Sequence, residues 1–157
     1  MRRIILYIGI LALVIAAPVK PMNIGDLRPV QIVSVYKEGG WTVIETDTDD
    51  KGIGGTALQA LQNMKDASDG VIYLDTADYL LLTKDAEEAI MELYENLKPS
   101  VRLCMVSGAV NLKKAASYLK THGALPKLKG WKKGTELPVL STFGNSLIFL
   151  KKVENNA

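Results

Sequence analysis

Residues 4–17 form an uninterrupted apolar run that starts directly after Arg2 and Arg3. A charged start followed by a short apolar stretch is the pattern of a secretory signal. The run has 14 residues and is ended by Pro18, Lys20 and Pro21. A helix that spans a bilayer needs roughly 20. Ala17 is small enough to precede a cleavage site, but Ile15 is large where a small residue is wanted, and Pro18 would follow the cut. Two outcomes therefore stand side by side: a cleaved signal, or residues 1–21 kept as a short membrane anchor. A buried helix of the domain is the third reading, and the absence of a polar residue from every face of the run speaks against it. In the first two cases Arg2 and Arg3 stay inside and residues 22–157 are exported. No cysteine follows the run, so a bacterial lipid anchor is not available. What remains to fold is about 135 residues, the size of one ordinary domain.

Hydrophobic residues make up 48% and charged residues 23%, which is the balance of a folded chain and excludes disorder or low complexity. Cys104 is the single cysteine and His122 the single histidine, so an internal disulfide framework, a cysteine-based zinc cluster and most histidine metal sites are excluded. The charges are segregated. Residues 38–97 carry a net charge of −11, and residues 98–134 carry +9 with no acid. Either the two regions face each other in the fold or simply alternate around the surface, or the basic residues make one face for an anionic surface or an acidic partner. The candidate basic surface is Lys113, Lys114 and Lys120 on a helix, with Lys127, Lys129, Trp131, Lys132 and Lys133 in the loop after it. Without Arg2 and Arg3 the chain has 17 basic and 17 acidic residues, which argues against a nucleic-acid partner.

Local patterns predict the order ββ-α-ββ-α-β-α-ββ. Residues 30–36 and 41–46 are β-branched and alternating, and residues 37–40 between them read as a four-residue hairpin loop. Thr56 and Gln59 fit a capping box that opens a helix with Ala57, Leu58, Ala60, Leu61, Met64 and Ala67 on one side. Residues 71–74 and 79–82 are short strands. Asp85 and Glu88 are a second capping pair, for a helix over 86–97 that Pro99 stops. Residues 101–106 are a buried strand. Asn111 caps a third helix, with Leu112, Ala115, Ala116 and Leu119 inward. Residues 125–134 read as a surface loop, and residues 139–142 and 147–151 as a hairpin across Gly144 and Asn145. The class is α/β (α+β): one mixed sheet with about three helices on it. Residues 79–106 form a βαβ unit with parallel strands.

Each feature with chemical meaning has a plainer one. Lys51 to Thr56 places glycines before a helix, as phosphate-binding loops do, but the dinucleotide fingerprint and the P-loop lysine are missing and three aspartates stand upstream. A flexible turn followed by a cap is the better explanation. Asp47, Asp49 and Asp50 lack the spacing of a calcium loop. Asp75 and Asp78 are the one candidate acid–base pair, at a break between strands where aspartate commonly caps turns. Cys104 reads as a small buried side chain. Ser107 lacks the nucleophile-elbow context, and His122 sits at a helix end with no second ligand. No catalytic, cofactor or metal residue is assigned.

Over about residues 26–119 the chain resembles the N-terminal domain of the C subunit of spore germinant receptors, the Ger(x)C family. The residues that carry this are the Pro29-Val30 strand, the Gly-Gly-Thr entry to an alanine- and leucine-rich helix, the strand Gly70-Val71-Ile72-Tyr73-Leu74, the segment DYLLLTKDAEEAI and the closing SVRLCMVSG. All are structural, so no site residue follows from them. Members of that family are typically lipid-anchored and several domains long, in which this chain differs. The resemblance implies a subunit at the membrane surface of a spore-forming Gram-positive bacterium, acting in nutrient sensing.

The expectation is a non-enzymatic accessory or binding domain, held at the outer face of the membrane or secreted after cleavage. Its partner would be a membrane protein or an anionic surface, with no cofactor. The alternative is a secreted small-molecule-binding protein or hydrolase with an acidic site near Asp75 and Asp78.

Overall fold

The computed structural model describes residues 27–122, 124–144 and 146–151. The N-terminal signal or anchor segment lies outside them, as do Gly123 and Asn145. Four strands come first: β1 (Leu27–Pro29), β2 (Ile32–Glu38), β3 (Trp41–Thr46) and β4 (Lys51–Gly54). Helix α1 (Ala57–Ala67), β5 (Val71–Tyr73), β6 (Tyr79–Leu82), helix α2 (Ala89–Leu93) and β7 (Arg102–Val106) follow. Helix α3 (Leu112–His122), β8 (Val139–Phe143) and β9 (Ser146–Lys151) complete the described chain.

A mixed seven-stranded sheet runs β4-β3-β2-β6-β7-β8-β9. Its centre, β2, β6, β7 and β8, is parallel, and antiparallel partners flank it. The α/β class, a mixed main sheet with three helices and the parallel pairing of β6 with β7 are as the sequence predicts. Strands β6 and β7 read as near-continuous apolar runs because helices cover both of their faces. One layer joins α1 and α2 to Val33, Val35, Ile44, Leu80, Leu82 and Leu103. The other joins Ala115 and Leu119 of α3 to Ile32, Leu81, Cys104 and Leu140. Each fully buried leucine contributes about 1.5–3 kcal/mol relative to exposure.

Several expectations are corrected. The first hairpin turns on two residues, not four: Glu38 lies opposite Trp41, and Gly39 and Gly40 take φ of 57° and 84°. Both angles lie in the region glycine tolerates, and the tight turn suits the twist of the strands. The glycine stretch is strand β4 and not a flexible turn. A Cβ on Gly54 would come within 2.5 Å of the Ala60 nitrogen, and one on Gly52 within 2.6 Å of Met64 Cβ. The glycines are there so that α1 can lie directly on the strand, and Asn63 Nδ2 donates to the Ile53 carbonyl at 2.7 Å to hold it. Helix α1 buries Ala57, Ala60, Leu61 and Met64, a stripe spaced by three and four residues. Leu58 and Ala67 fall off that stripe and are exposed.

Residues 71–73 do not join the main sheet; they pair in parallel with β1. The expected helix over 86–97 is broken: 3₁₀ turns at Lys84–Ala86 and Tyr94–Asn96 flank a five-residue α2. The apolar residues Ala86, Ala89, Ile90, Leu93 and Leu97 are still buried, whereas Tyr94 is exposed. Residues 125–134 are more than a surface loop, because Leu125 and Leu128 are buried and Lys127 bridges to Arg102 beside the start of β7.

Candidate functional site

The chain leaves the carboxyl ends of β6 and β7 in opposite directions. After β6, residues Ala86, Ala89 and Ile90 enter the first layer. After β7, Val110, Leu112 and Ala115 enter the second. Adjacent parallel strands whose connections diverge in this way leave a crevice between them, the usual ligand position in open α/β sheets. Here a cleft of about 410 Å³ opens there, lined among others by Tyr36, Glu45, Lys51, Thr83, Asp85 and Val106.

Three of those side chains form a closed hydrogen-bonded group across β2, β3 and β4. Tyr36 Oη donates to Glu45 Oε1 at 2.6 Å, and Lys51 Nζ donates to Tyr36 Oη at 3.1 Å. Lys51 also pairs with Glu45 Oε1 at 2.9 Å. Burial acts to raise Glu45, but the hydrogen bonds from Tyr36 and Lys51 outweigh it and hold the carboxyl below its ordinary value. The bonds to Glu45 and then to Tyr36 hold the Lys51 ammonium above its ordinary range. Burial, followed by the Glu45 hydrogen bond, raises Tyr36. All three shifts lead away from neutrality. A general acid or base works best with a pKa near the working pH. This group is suited to binding through fixed charge and hydrogen bonds.

The same face carries exposed apolar side chains. Strand register puts Trp41, Val43 and Glu45 of β3 on the side of Tyr36, Lys51 and Ile53. Among the described residues the α3 layer takes Ile32 from β2 and no residue from β3 or β4. Helix α1 covers the other face of β3 and β4, but on this face no described helix joins them in a core layer; Val43 is buried, while Trp41 and Ile53 are 57% and 49% exposed.

The acidic turn between β3 and β4 is structural. Asp47 Oδ1 accepts from the Gln31 and Ile32 backbone nitrogens at 2.9 and 3.1 Å. Asp50 is buried and accepts from Arg28, Thr48 and Ser68. Asp49 pairs with Lys113 at 2.7 Å. The start of α1 is likewise occupied: Thr56 Oγ1 accepts from the Gln59 nitrogen, Gln59 Oε1 from the Gly55 nitrogen, and Glu92 from Ala57 and Leu58. A phosphate there would meet a carboxylate already seated on the helix end. Asp78 pairs with Lys98 at 2.8 Å, and neither Asp75 nor Asp78 lines the cleft beside Tyr36. Cys104 is buried, its Sγ donates to the Pro138 carbonyl at 3.4 Å, and burial pushes the thiol up to about 12. Asn111 caps α3 as expected, its Oδ1 accepting from the Lys114 nitrogen at 3.0 Å. His122 ends that helix, stacked on Tyr118 at 4.4 Å between ring centroids. Among the described residues no group of three His, Cys, Asp or Glu side chains is placed to hold a metal ion, and no helix is long and apolar enough to cross a membrane.

The structure distributes the basic residues over two sides of the sheet. Lys113, Lys114 and Lys120 lie on α3, which covers one face. Leu128 and Trp131, which flank Lys129 and precede Lys132 and Lys133, are packed into the layer on the other face. Lys127 sits at the strand edge between them. Lys133 lines a cleft with Asp85, Glu87 and Glu88, so part of the basic segment faces the acidic one. Trp131 is half-buried against the first core layer.

The Tyr36–Glu45–Lys51 group was hidden by the hairpin register. A four-residue loop would set Tyr36 opposite Trp41, far from Glu45, while the two-residue turn sets Glu45 diagonal to Tyr36. Lys51 joins only once residues 51–54 are recognised as a strand. Compared with family models, curated proteins and solved structures, the chain gives no match in any of the three.

Proposed function

We propose that this chain is a non-enzymatic accessory domain at the outer face of the membrane, and that it binds an exported segment of a membrane protein through the open face of β3 and β4. The observation that carries this reading is the join between the cleft and that face. Trp41, Tyr36 and Ile53 sit beside the Glu45–Lys51 pair on one continuous surface. An exposed Trp beside a half-buried Tyr is the aromatic content that marks binding hot spots, and the ion pair next to them fixes orientation. The sequence supports the location, through Arg2, Arg3 and the apolar run after them. The resemblance to germinant-receptor C subunits supports a place in a membrane receptor assembly.

The test uses the full chain in intact cells, with a thiol-reactive photo-crosslinker at Trp41→Cys and, as control, at Lys65→Cys on the opposite layer. One adduct of defined mass in the membrane fraction from position 41 and none from position 65 is the expected result. Equal adducts at both positions, no adduct at either, or a wholly cytosolic protein would overturn the reading.

A further inference from the structure

We infer that two copies of this chain pair through strand β9, antiparallel about a two-fold axis. Strand β9 ends the sheet, and among the described residues nothing pairs with its outer edge. Leu147 and Phe149 turn into the α3 layer. Ile148 and Leu150 turn to the other face, where they are 37% and 60% exposed, and the β8 register adds Phe143, 77% exposed, to the same side. Sheet edges are normally guarded by charge, proline or a cover. The only charge on β9 is its last residue, Lys151; residues 146–150 contain neither a charge nor a proline, and in the register below Lys151 stands opposite the partner's Leu147, not another lysine. The opposite edge, β4, is guarded: Lys51 begins it, α1 lies on it, and Asn63 occupies the Ile53 carbonyl.

The occupant is a second copy because the strand is complementary to itself. Antiparallel pairing keeps each side chain on its own face only if opposed residue numbers sum to an even value. A register centred on Phe149 meets that condition. It sets Ile148 against the partner's Leu150, and Leu150 against the partner's Ile148, two apolar pairs on the exposed face. With no charge in residues 146–150, no like charges meet across it. The contact is isologous and consumes both β9 edges, so assembly closes at two copies and does not propagate as a fibre. This surface is distinct from the Trp41 face; the test below borrows the membrane location of the proposed function, and a chain found in the cytosol is oxidised and sedimented there instead, so that the two readings fail separately.

The test is register-specific. Full chains carrying Ile148→Cys are co-expressed with chains carrying Leu150→Cys and oxidised in membranes; buried Cys104 is the background control. A disulfide-linked dimer in the mixed sample, several-fold above either variant alone, is expected. Sedimentation of the detergent-solubilised wild type should give a dimer mass. Ile148→Lys should raise Kd at least about tenfold, with an unchanged circular dichroism spectrum. A monomeric wild type, a dimer indifferent to Ile148→Lys, or cross-linking without the 148–150 preference would overturn the inference. So would a wild type that dimerises only once residues 152–157 are removed, since that segment would then hold the edge.

Discussion

Glu92 reaches from α2 to the first turn of α1, where its Oε2 accepts a hydrogen bond from the Ala57 nitrogen at 2.6 Å. The same oxygen takes the Leu58 nitrogen at 3.3 Å. A carboxylate at a helix N-terminus satisfies orphan donors and favours the helix dipole. The interaction joins two helices through residues 35 apart in the chain. Glu92→Ala should therefore cost about 1–2 kcal/mol in urea unfolding. Glu92→Gln, which keeps an acceptor, should cost less. Equal stability for all three proteins would remove Glu92 as a cap.

Gly52 and Gly54 test the close approach of α1 to β4. Gly54→Ala forces a Cβ to within 2.5 Å of the Ala60 nitrogen, which is helix backbone and cannot swing aside. The expected loss is about 3 kcal/mol, with lifting of α1 from the sheet. Gly39→Ala is the contrast: its Cβ meets nothing within 4 Å, and only its φ of 57° opposes it. That should cost about 1–2 kcal/mol. Chemical denaturation of the three proteins ranks them, and a Gly54→Ala protein as stable as wild type would contradict the contact.

The Glu45 group sets a pH dependence. Its carboxyl is held below the ordinary value of 4.5, so its contribution is present above that value and is lost as pH falls through the lower folded one. The pair is partly solvated, so the contribution is about 0.5 kcal/mol. The stability gap between wild type and Glu45→Gln should be open at neutral pH and close as pH falls below 4.5 through the lower folded value. Lys51 has the opposite sign: its contribution holds below 10.5 and fades as pH rises beyond it. A gap that widens on acidification would refute the assignment.

Cys104 should react with a thiol reagent only as fast as the native state opens. Its thiol is raised to about 12 and lies inside the β7 core, so both thiolate fraction and access are small. Labelling should be slow in buffer and fast in denaturant. Rapid labelling of folded protein would contradict the packing of β7 against β8.

The two tryptophans differ in environment and can be read separately. Trp41 is exposed and Trp131 is packed against the first core layer. Trp41→Phe should leave a blue-shifted emission that acrylamide quenches weakly, and Trp131→Phe a red-shifted one that it quenches strongly. The reverse order would place Trp131 at the surface.

Features set by neighbours in the chain were legible. The Thr56 and Asn111 caps, the apolar strands β6 and β7 and the burial of Cys104 all follow from residues a few positions apart. What was missed depends on distant parts. Gly52 and Gly54 look like loop glycines until a helix is laid on them. The acidic turn looks solvated until Gln31, Ile32, Arg28 and Ser68 arrive as donors. The apolar spacing of residues 86–97 marks the buried side chains correctly but does not distinguish α from 3₁₀ winding. Two residues of loop length decided the site, because they set whether Tyr36 meets Glu45.

Strand β1 is where the described fold begins, and it is held at three points. Its backbone pairs with β5, Arg28 is bonded to buried Asp50, and the Val30 carbonyl just beyond it accepts from Thr76. Any tension applied through the N-terminal residues is delivered to this strand first. Because β1 and β5 run side by side, a pull along β1 loads their hydrogen bonds together in shear, and they do not open one at a time. Arg28 and Asp50 then pass the load to the β3–β4 turn and, through Ser68, to the end of α1. A domain tethered at this end is thereby anchored mechanically before the force reaches the central sheet.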